Sequence, residues 1–243
     1  MMYMSNPNSE MVKVSDELLK AVPDFTSWQE AAIWLQQGQL AAKQWTSDVL
    51  VDAQITSLQI NERTEFPFGL YASEKWRKFV LATFLADLIC YSNPVDQVSF
   101  ERLIFVMHSF SQGFRTWWIK LPNQNWWPVG YTGWYPMLET AFETFKNNPE
   151  KLTSRMVVPT QLNKEKPLLY LFNCSVAPQL KQKILTKPLM SAFAQDISKQ
   201  NPKALACITV SDDGSRVAKR FGMTCRGYLT IDGCAEGVFV GEN

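Results

Sequence analysis

Residues 167–176 read Pro-Leu-Leu-Tyr-Leu-Phe-Asn-Cys-Ser-Val, a nearly continuous apolar run of the kind expected of a central strand. Val176-Ala177-Pro178 ends the run. Leu180–Gln200 then has the length of a long helix, Ala204–Val210 reads as a second strand, Gly214–Phe221 as a short helix, and Phe221-Gly222-Met223 closes the segment. Strand, helix, strand, helix in this order selects an α/β (α+β) architecture, and the rest of the chain must cover that central strand.

Upstream, Ser27-Trp28-Gln29-Glu30 fits a capping box, in which Ser27 and Glu30 satisfy each other's backbone N–H groups. The helix it starts is expected to stop at Gly38, with a second helix over Leu40–Ala53. Residues 1–55 are read as an N-terminal helical extension packed against a main domain of residues 56–243. Leu58 and Ile60 alternate with Gln59 and Asn61 as a short strand. Ser73 caps a helix whose Trp76, Phe79, Val80, Thr83, Phe84, Leu88 and Tyr91 recur at helical spacing. After Asn93-Pro94, a further helix carries Phe100, Leu103, Ile104, Met107 and His108 on one face.

At Phe114 the period changes. Phe114–Leu121 and Trp126–Trp134 are aromatic and β-branched runs joined by Pro122-Asn123-Gln124-Asn125, which predicts a hairpin. Trp117-Trp118 and Trp126-Trp127 are adjacent pairs, so each pair puts one ring on either side of the sheet. A sheet covered on both faces accommodates them. Leu138–Asn148 reads as helix and Pro149–Lys166 as irregular, either a mobile lid over an acceptor site or a surface insertion. Thr224–Ile231 and Gly237–Val240 are final strands around an Asp232-Gly233 turn.

Composition narrows the function classes. A formal net charge of +1 gives no bulk electrostatic reason to expect nucleic acid or an anionic membrane as partner. The most apolar stretch, Phe79–Cys90, is too short for a membrane span and contains Asp87. Met1–Lys20 is polar and acidic where a signal peptide needs an apolar run, so a cytoplasmic protein is expected, with export by a dedicated secretion machine left open. Five cysteines without CxxC spacing, beside one histidine, leave little material for a zinc site, and no metal is expected.

Three pieces, in order, resemble the GNAT acyltransferases. Trp127-Pro128-Val129-Gly130-Tyr131 is similar to the family's "VGY" strand, and Val176-Ala177-Pro178 to its "V-x-P" at the end of the central strand. Ser215-Arg216-Val217-Ala218-Lys219-Arg220-Phe221-Gly222-Met223 resembles its last helix with the "GF" ending. The resemblance covers roughly residues 56–243, with an insertion near 137–166, and implies a GNAT-like mixed central sheet flanked by helices. It also implies an acyl-CoA donor, acetyl-CoA first, whose pantetheine arm lies beside the central strand while backbone N–H groups of the next loop and helix hold the pyrophosphate.

Carried over by position, the implied donor contacts are Cys174, Val176, Lys181, Thr186 and Lys187, with Lys183 beside them and Ser215 near the thioester sulfur. The chain departs from the family pattern at three places. Ile184 and Thr186 stand where two loop glycines belong, and glycine permits a closer backbone approach than a β-branched residue. Ala218 stands where a Tyr commonly protonates the leaving thiolate. Phe172, Asn173, Cys174 and Ser175 include no carboxylate to serve as a base.

Other chemistry-bearing residues read as structural. His108 lies on an apolar helix face, Cys174 has no base in sequence view, and Asp212-Asp213 sits where acids favour a helix N-terminus. The expected activity is acyl transfer from acyl-CoA to an amine-bearing small molecule or protein by direct attack in a ternary complex. Two alternatives stay open: a catalytically inactive GNAT-fold binding protein, meeting a partner through the aromatic hairpin or N-terminal helices, and acyl transfer from an acyl carrier protein.

Overall fold

The computed structural model describes residues 15–24, 27–45, 50, 52–60, 73–122, 125–153, 156–162, 166–181, 184–231 and 233–242. Lys183 and Asp232 lie outside the described residues. After a helical turn at 15–20 the order is α1 (Trp28–Lys43), β1 (Gln54–Gln59), α2 (Glu74–Cys90), α3 (Phe100–Ser109), β2 (Phe114–Lys120), β3 (Trp126–Pro136) and α4 (Glu139–Asn147). Then come β4 (Leu168–Val176), α5 (Thr186–Ser198), β5 (Ala204–Thr209), α6 (Asp212–Arg220), β6 (Thr224–Ile231) and β7 (Cys234–Glu242).

The strands form one sheet in the order β1-β2-β3-β4-β5-β7-β6. Every neighbouring pair is antiparallel except β4 with β5, which are parallel and joined by the α5 crossover. The predicted apolar run is indeed the middle strand of the seven.

Local sequence explains most helix starts. Ser27, Ser73 and Ser99 are N-caps whose hydroxyls accept the N–H of Glu30, Trp76 and Arg102 at 3.3, 3.1 and 3.2 Å. The adjacent tryptophans divide between the two faces. Trp127 stacks on Trp34 of α1 at 5.8 Å, whereas Trp126 donates its Nε1–H to Glu17 at 2.9 Å. Trp117 and Trp118 are both buried, with a bulge between them. Arg115 of β2 makes a two-point ion pair with Asp196 of α5 at 2.9 and 3.0 Å, tying the sheet to its crossover helix.

Two expectations are corrected. Gly38 does not end the first helix, which continues through it to Lys43, so Leu40 opens no second helix. Gly38 instead lets α1 approach α2, since a Cβ there would stand 2.5 Å from Leu85 Cδ2. The crossover helix does not begin at Leu180. A 3₁₀ turn spans Pro178–Leu180, and α5 starts only at Thr186. Pro188, its third residue, fits there because first-turn N–H groups have no intrahelical acceptor.

Candidate active site

The two parallel strands pair at only three positions, Leu168 with Ala204, Leu169 with Leu205 and Tyr170 with Ala206. Beyond Tyr170 they part. A bulge marks the same place on the other edge of β4, where Gly133 pairs with Asn173 and Trp134 with Leu171, so Phe172 is the extra residue. From there to Val176, β4 has a partner on its β3 side alone.

Ala177 donates its N–H to Val129 of β3 at 2.8 Å. In an antiparallel ladder hydrogen-bonding direction alternates, so the N–H groups of Cys174 and Val176 face the gap. A cavity of about 490 Å³ fills that gap, with Cys174, Val176 and Lys181 on its wall.

One wall comes from the end of α2 and the strand residues facing it. Paired residues project to one face, so Tyr131 and its partner Ser175 point toward α2, as does Asn173. Asp87, fully buried, accepts the Tyr131 hydroxyl on Oδ1 at 2.7 Å and the Val98 N–H on Oδ2 at 2.8 Å. Desolvation pushes its carboxyl up to about 6, against the lowering effect of those two hydrogen bonds. Asn173 donates its amide to Tyr91 Oη at 3.2 Å. Burial raises both phenols well above the ordinary tyrosine range.

On the cavity wall, Asn173 Oδ1 and Ser175 Oγ are buried without a hydrogen-bond partner, although the Cys90 thiol lies beside Ser175. Unpaired buried acceptors and donors are costly, so a polar arm laid along β4 would find partners waiting.

The opposite wall carries Phe193 of α5, edge-on to Phe221 at 5.4 Å, and the buried Ala218 of α6. Cys174 points to this side, 3.5 Å from the Met190 sulfur, and burial pushes its thiol up to about 12. It therefore stays protonated and inert near neutrality. A third wall comes from the insertion, where Leu152 and Val157 are buried. Arg102 of α3 is turned to it, donating to the Val157 carbonyl and, at 3.2 Å, to Tyr135 Oη.

At the mouth, Lys181 reaches across to Asp213 at 3.1 Å, and Asp213 also meets Arg216 at 3.0 Å. Asp212 and Asp213 lie in the first turn of α6, capped by Ser211, as helix-terminal acids should. Ile184 is 42% exposed, and neither it nor Thr186 takes a positive φ. Thr186 and Lys187 open α5, and Ser215 is turned to Thr209 at 3.1 Å; none of the three lines the cavity.

Sequence reasoning missed Asp87. Its one visible signal was an ionisable residue inside an apolar helical stretch, which counted only against a membrane span. His108 is half-buried and edge-on to Trp76 at 6.3 Å, with its pKa lowered by burial. Among the described residues, no helix is long and apolar enough to cross a membrane, and no group of three His, Cys, Asp or Glu is placed to hold a metal ion.

No protein-family model and no curated protein matches the chain. Solved structures do. The loading GNATL domain of CurA from Lyngbya majuscula is 12% identical, with 78% of this chain and 97% of that one covered at a TM-score of 0.51. The NatC complex bound to Gag peptide and CoA is 8% identical, with 78% and 99% covered at 0.48. The GphF GNAT-like decarboxylase in complex with isobutyryl-CoA is 12% identical, with 67% and 94% covered at 0.47. With its strand order, its single parallel pair and the gap that opens beyond it, the chain has the GNAT fold.

Proposed function

We propose that this chain is an acyl-CoA-dependent N-acyltransferase that passes an acyl group, acetyl first, to an amine by direct attack in a ternary complex. The observation that carries this reading is the parting of β4 and β5 beyond Tyr170. It leaves the N–H groups of Cys174 and Val176 unpaired over a cavity large enough for a pantetheine arm. The arm would find its hydrogen-bond partners in these groups and in Asn173 and Ser175. Lys181 would meet the pyrophosphate, with Thr186 and Lys187 at the start of α5, and Ser215 would act from behind Thr209. Two fixed reactants in a closed gap gain most of their rate from proximity.

A second reading has two observations in its favour. Lys181 is already neutralised by Asp213, and Ile184 replaces a loop glycine, which suits a GNAT-fold binding protein that has given up the phosphate end of its site.

Calorimetry and thermal unfolding with acetyl-CoA and longer acyl-CoAs separate the two. A bound donor at about 100 times its Kd stabilises the fold by about 2.7 kcal/mol. The transferase reading expects a clear upward shift. An unchanged melting temperature with millimolar acyl-CoA would favour the binding-protein reading instead.

A further inference from the structure

We propose that Asp87 is the proton acceptor of the transfer, taking the proton that the attacking amine must lose; this rests on the acyl-transfer reading above. Geometry places it. Asp87 is held by Tyr131, which pairs with Ser175, and Ser175 sits between the two residues whose N–H groups face the gap. The carboxylate thus stands over the stretch of β4 beside which the thioester would lie, and it lines the cavity despite being fully buried from solvent. Each oxygen accepts one hydrogen bond, from Tyr131 and from the Val98 N–H, which leaves a lone pair on each for an incoming proton.

None of the groups that face Asp87 offers a base near neutrality. Cys90 and Tyr91 face Asp87 from its own helix, Tyr131 from β3, and Asn173 and Ser175 from β4. All are neutral near pH 7, since burial raises the thiol and both phenols. Of the charged side chains on the cavity wall, Arg102 is turned to Tyr135 and the Val157 carbonyl, and Lys181 to Asp213. Two further carboxylates line the cavity, Asp96 ahead of α3 and Glu236 of β7, which is buried near Tyr170. A carboxyl brought up to about 6 is also better matched to a base role near neutrality than an exposed one.

The step balances. The amine lone pair attacks the thioester carbonyl carbon, the C–N bond forms and the C–S bond breaks. The N–H proton goes to Asp87 and then to solvent, and the CoA thiolate takes a proton from solvent. Amide and free CoA thiol are the products.

The competing account is that Asp87 only ties the α2–α3 connection to β3. Asp87→Asn separates the two, because the amide keeps a carbonyl acceptor and the side-chain shape. The assay is CoA release from saturating acetyl-CoA, with aniline and hydroxylamine as acceptors, from about pH 5 to about pH 8. Aniline stays neutral through most of that range, so a rising limb reports the enzyme. Wild type should gain rate as pH rises through about 6. Asp87→Asn should lose about 100-fold or more in rate, and the limb with it, while binding acetyl-CoA within about twofold of wild type. Tyr131→Phe, which removes a hydrogen bond that lowers the Asp87 pKa, should move the limb to higher pH. Wild-type rate and limb in Asp87→Asn would overturn the role. So would a wild type that binds acetyl-CoA yet acylates neither acceptor. A wild type that does not bind acetyl-CoA at all would instead overturn the donor reading beneath it, and this role with it.

Discussion

Lys181 Nζ and Asp213 Oδ2 stand 3.1 Å apart, and they come from opposite sides of the gap: Lys181 follows β4, whereas Asp213 opens α6 just after β5. The pair closes the mouth where the anionic end of a donor would enter. Both side chains are about half exposed, at 48% and 53%, so the bridge contributes at most about 1 kcal/mol to stability. Its effect on binding should be larger, because a phosphate must compete with Asp213 for Lys181. Asp213→Asn should tighten acetyl-CoA about three- to tenfold at low salt, and Lys181→Ala should weaken it by a similar factor. Titration calorimetry on the three proteins decides this, and equal affinities would mean the phosphates lie elsewhere.

Gly38 offers a test of the N-terminal packing. In an isolated helix, Gly38→Ala would gain about 1 kcal/mol of helix propensity. Here the new methyl would meet Leu85 Cδ2 at 2.5 Å and Trp127 Cζ3 at 3.1 Å, and Leu85 is fully buried. Overpacking of this kind costs about 1–3 kcal/mol, so the net change should be destabilising by about 1 kcal/mol. Urea unfolding measures it. A stabilised variant would mean that α1 is not seated against α2 as described.

The same residue shows where sequence reasoning reaches its limit. Gly38 looks like a helix stop because local chemistry makes it one, and only Leu85, from a different helix, explains its place inside α1. The central strand was legible because burial on both faces writes itself into ten consecutive residues. The hairpin was legible because aromatic runs flank a polar turn. Asp87 was not, since its chemistry depends on Tyr131, 44 residues away, and Val98, 11 residues away. Lys181 was found by motif position, but its partner lies 32 residues on, and no local pattern announces that pairing.

The thiols give a direct check on the cavity walls. Cys90 and Cys207 are buried, and Cys174 faces the cavity, whereas Cys225 and Cys234 are exposed. Burial pushes the Cys174 and Cys207 thiols up to about 12, so neither offers thiolate near neutral pH. Native protein at pH 7 should therefore react quickly with a maleimide at Cys225 and Cys234 alone, and at all five positions once unfolded. Mass spectrometry counts the adducts. Rapid modification of Cys207 in native protein would contradict the described packing of β5.

Asp87 also leaves a signature in stability that needs no substrate. Its folded-state pKa of about 6 lies above the ordinary 3.8, so the folded protein holds this proton more tightly than the unfolded chain does. The stability this group contributes is therefore fully present below about pH 4 and is lost as pH rises through about 6. A difference of this size is worth roughly 3 kcal/mol between the two limits. Asp87→Asn cannot ionise and should escape the loss. The stability of the variant relative to wild type should thus rise by about 2–3 kcal/mol between about pH 4.5 and about pH 8, with every other titrating group cancelling in the difference. Urea unfolding of both proteins across that range measures it, and a constant difference would mean that Asp87 is solvated in the folded protein rather than enclosed in the cavity wall.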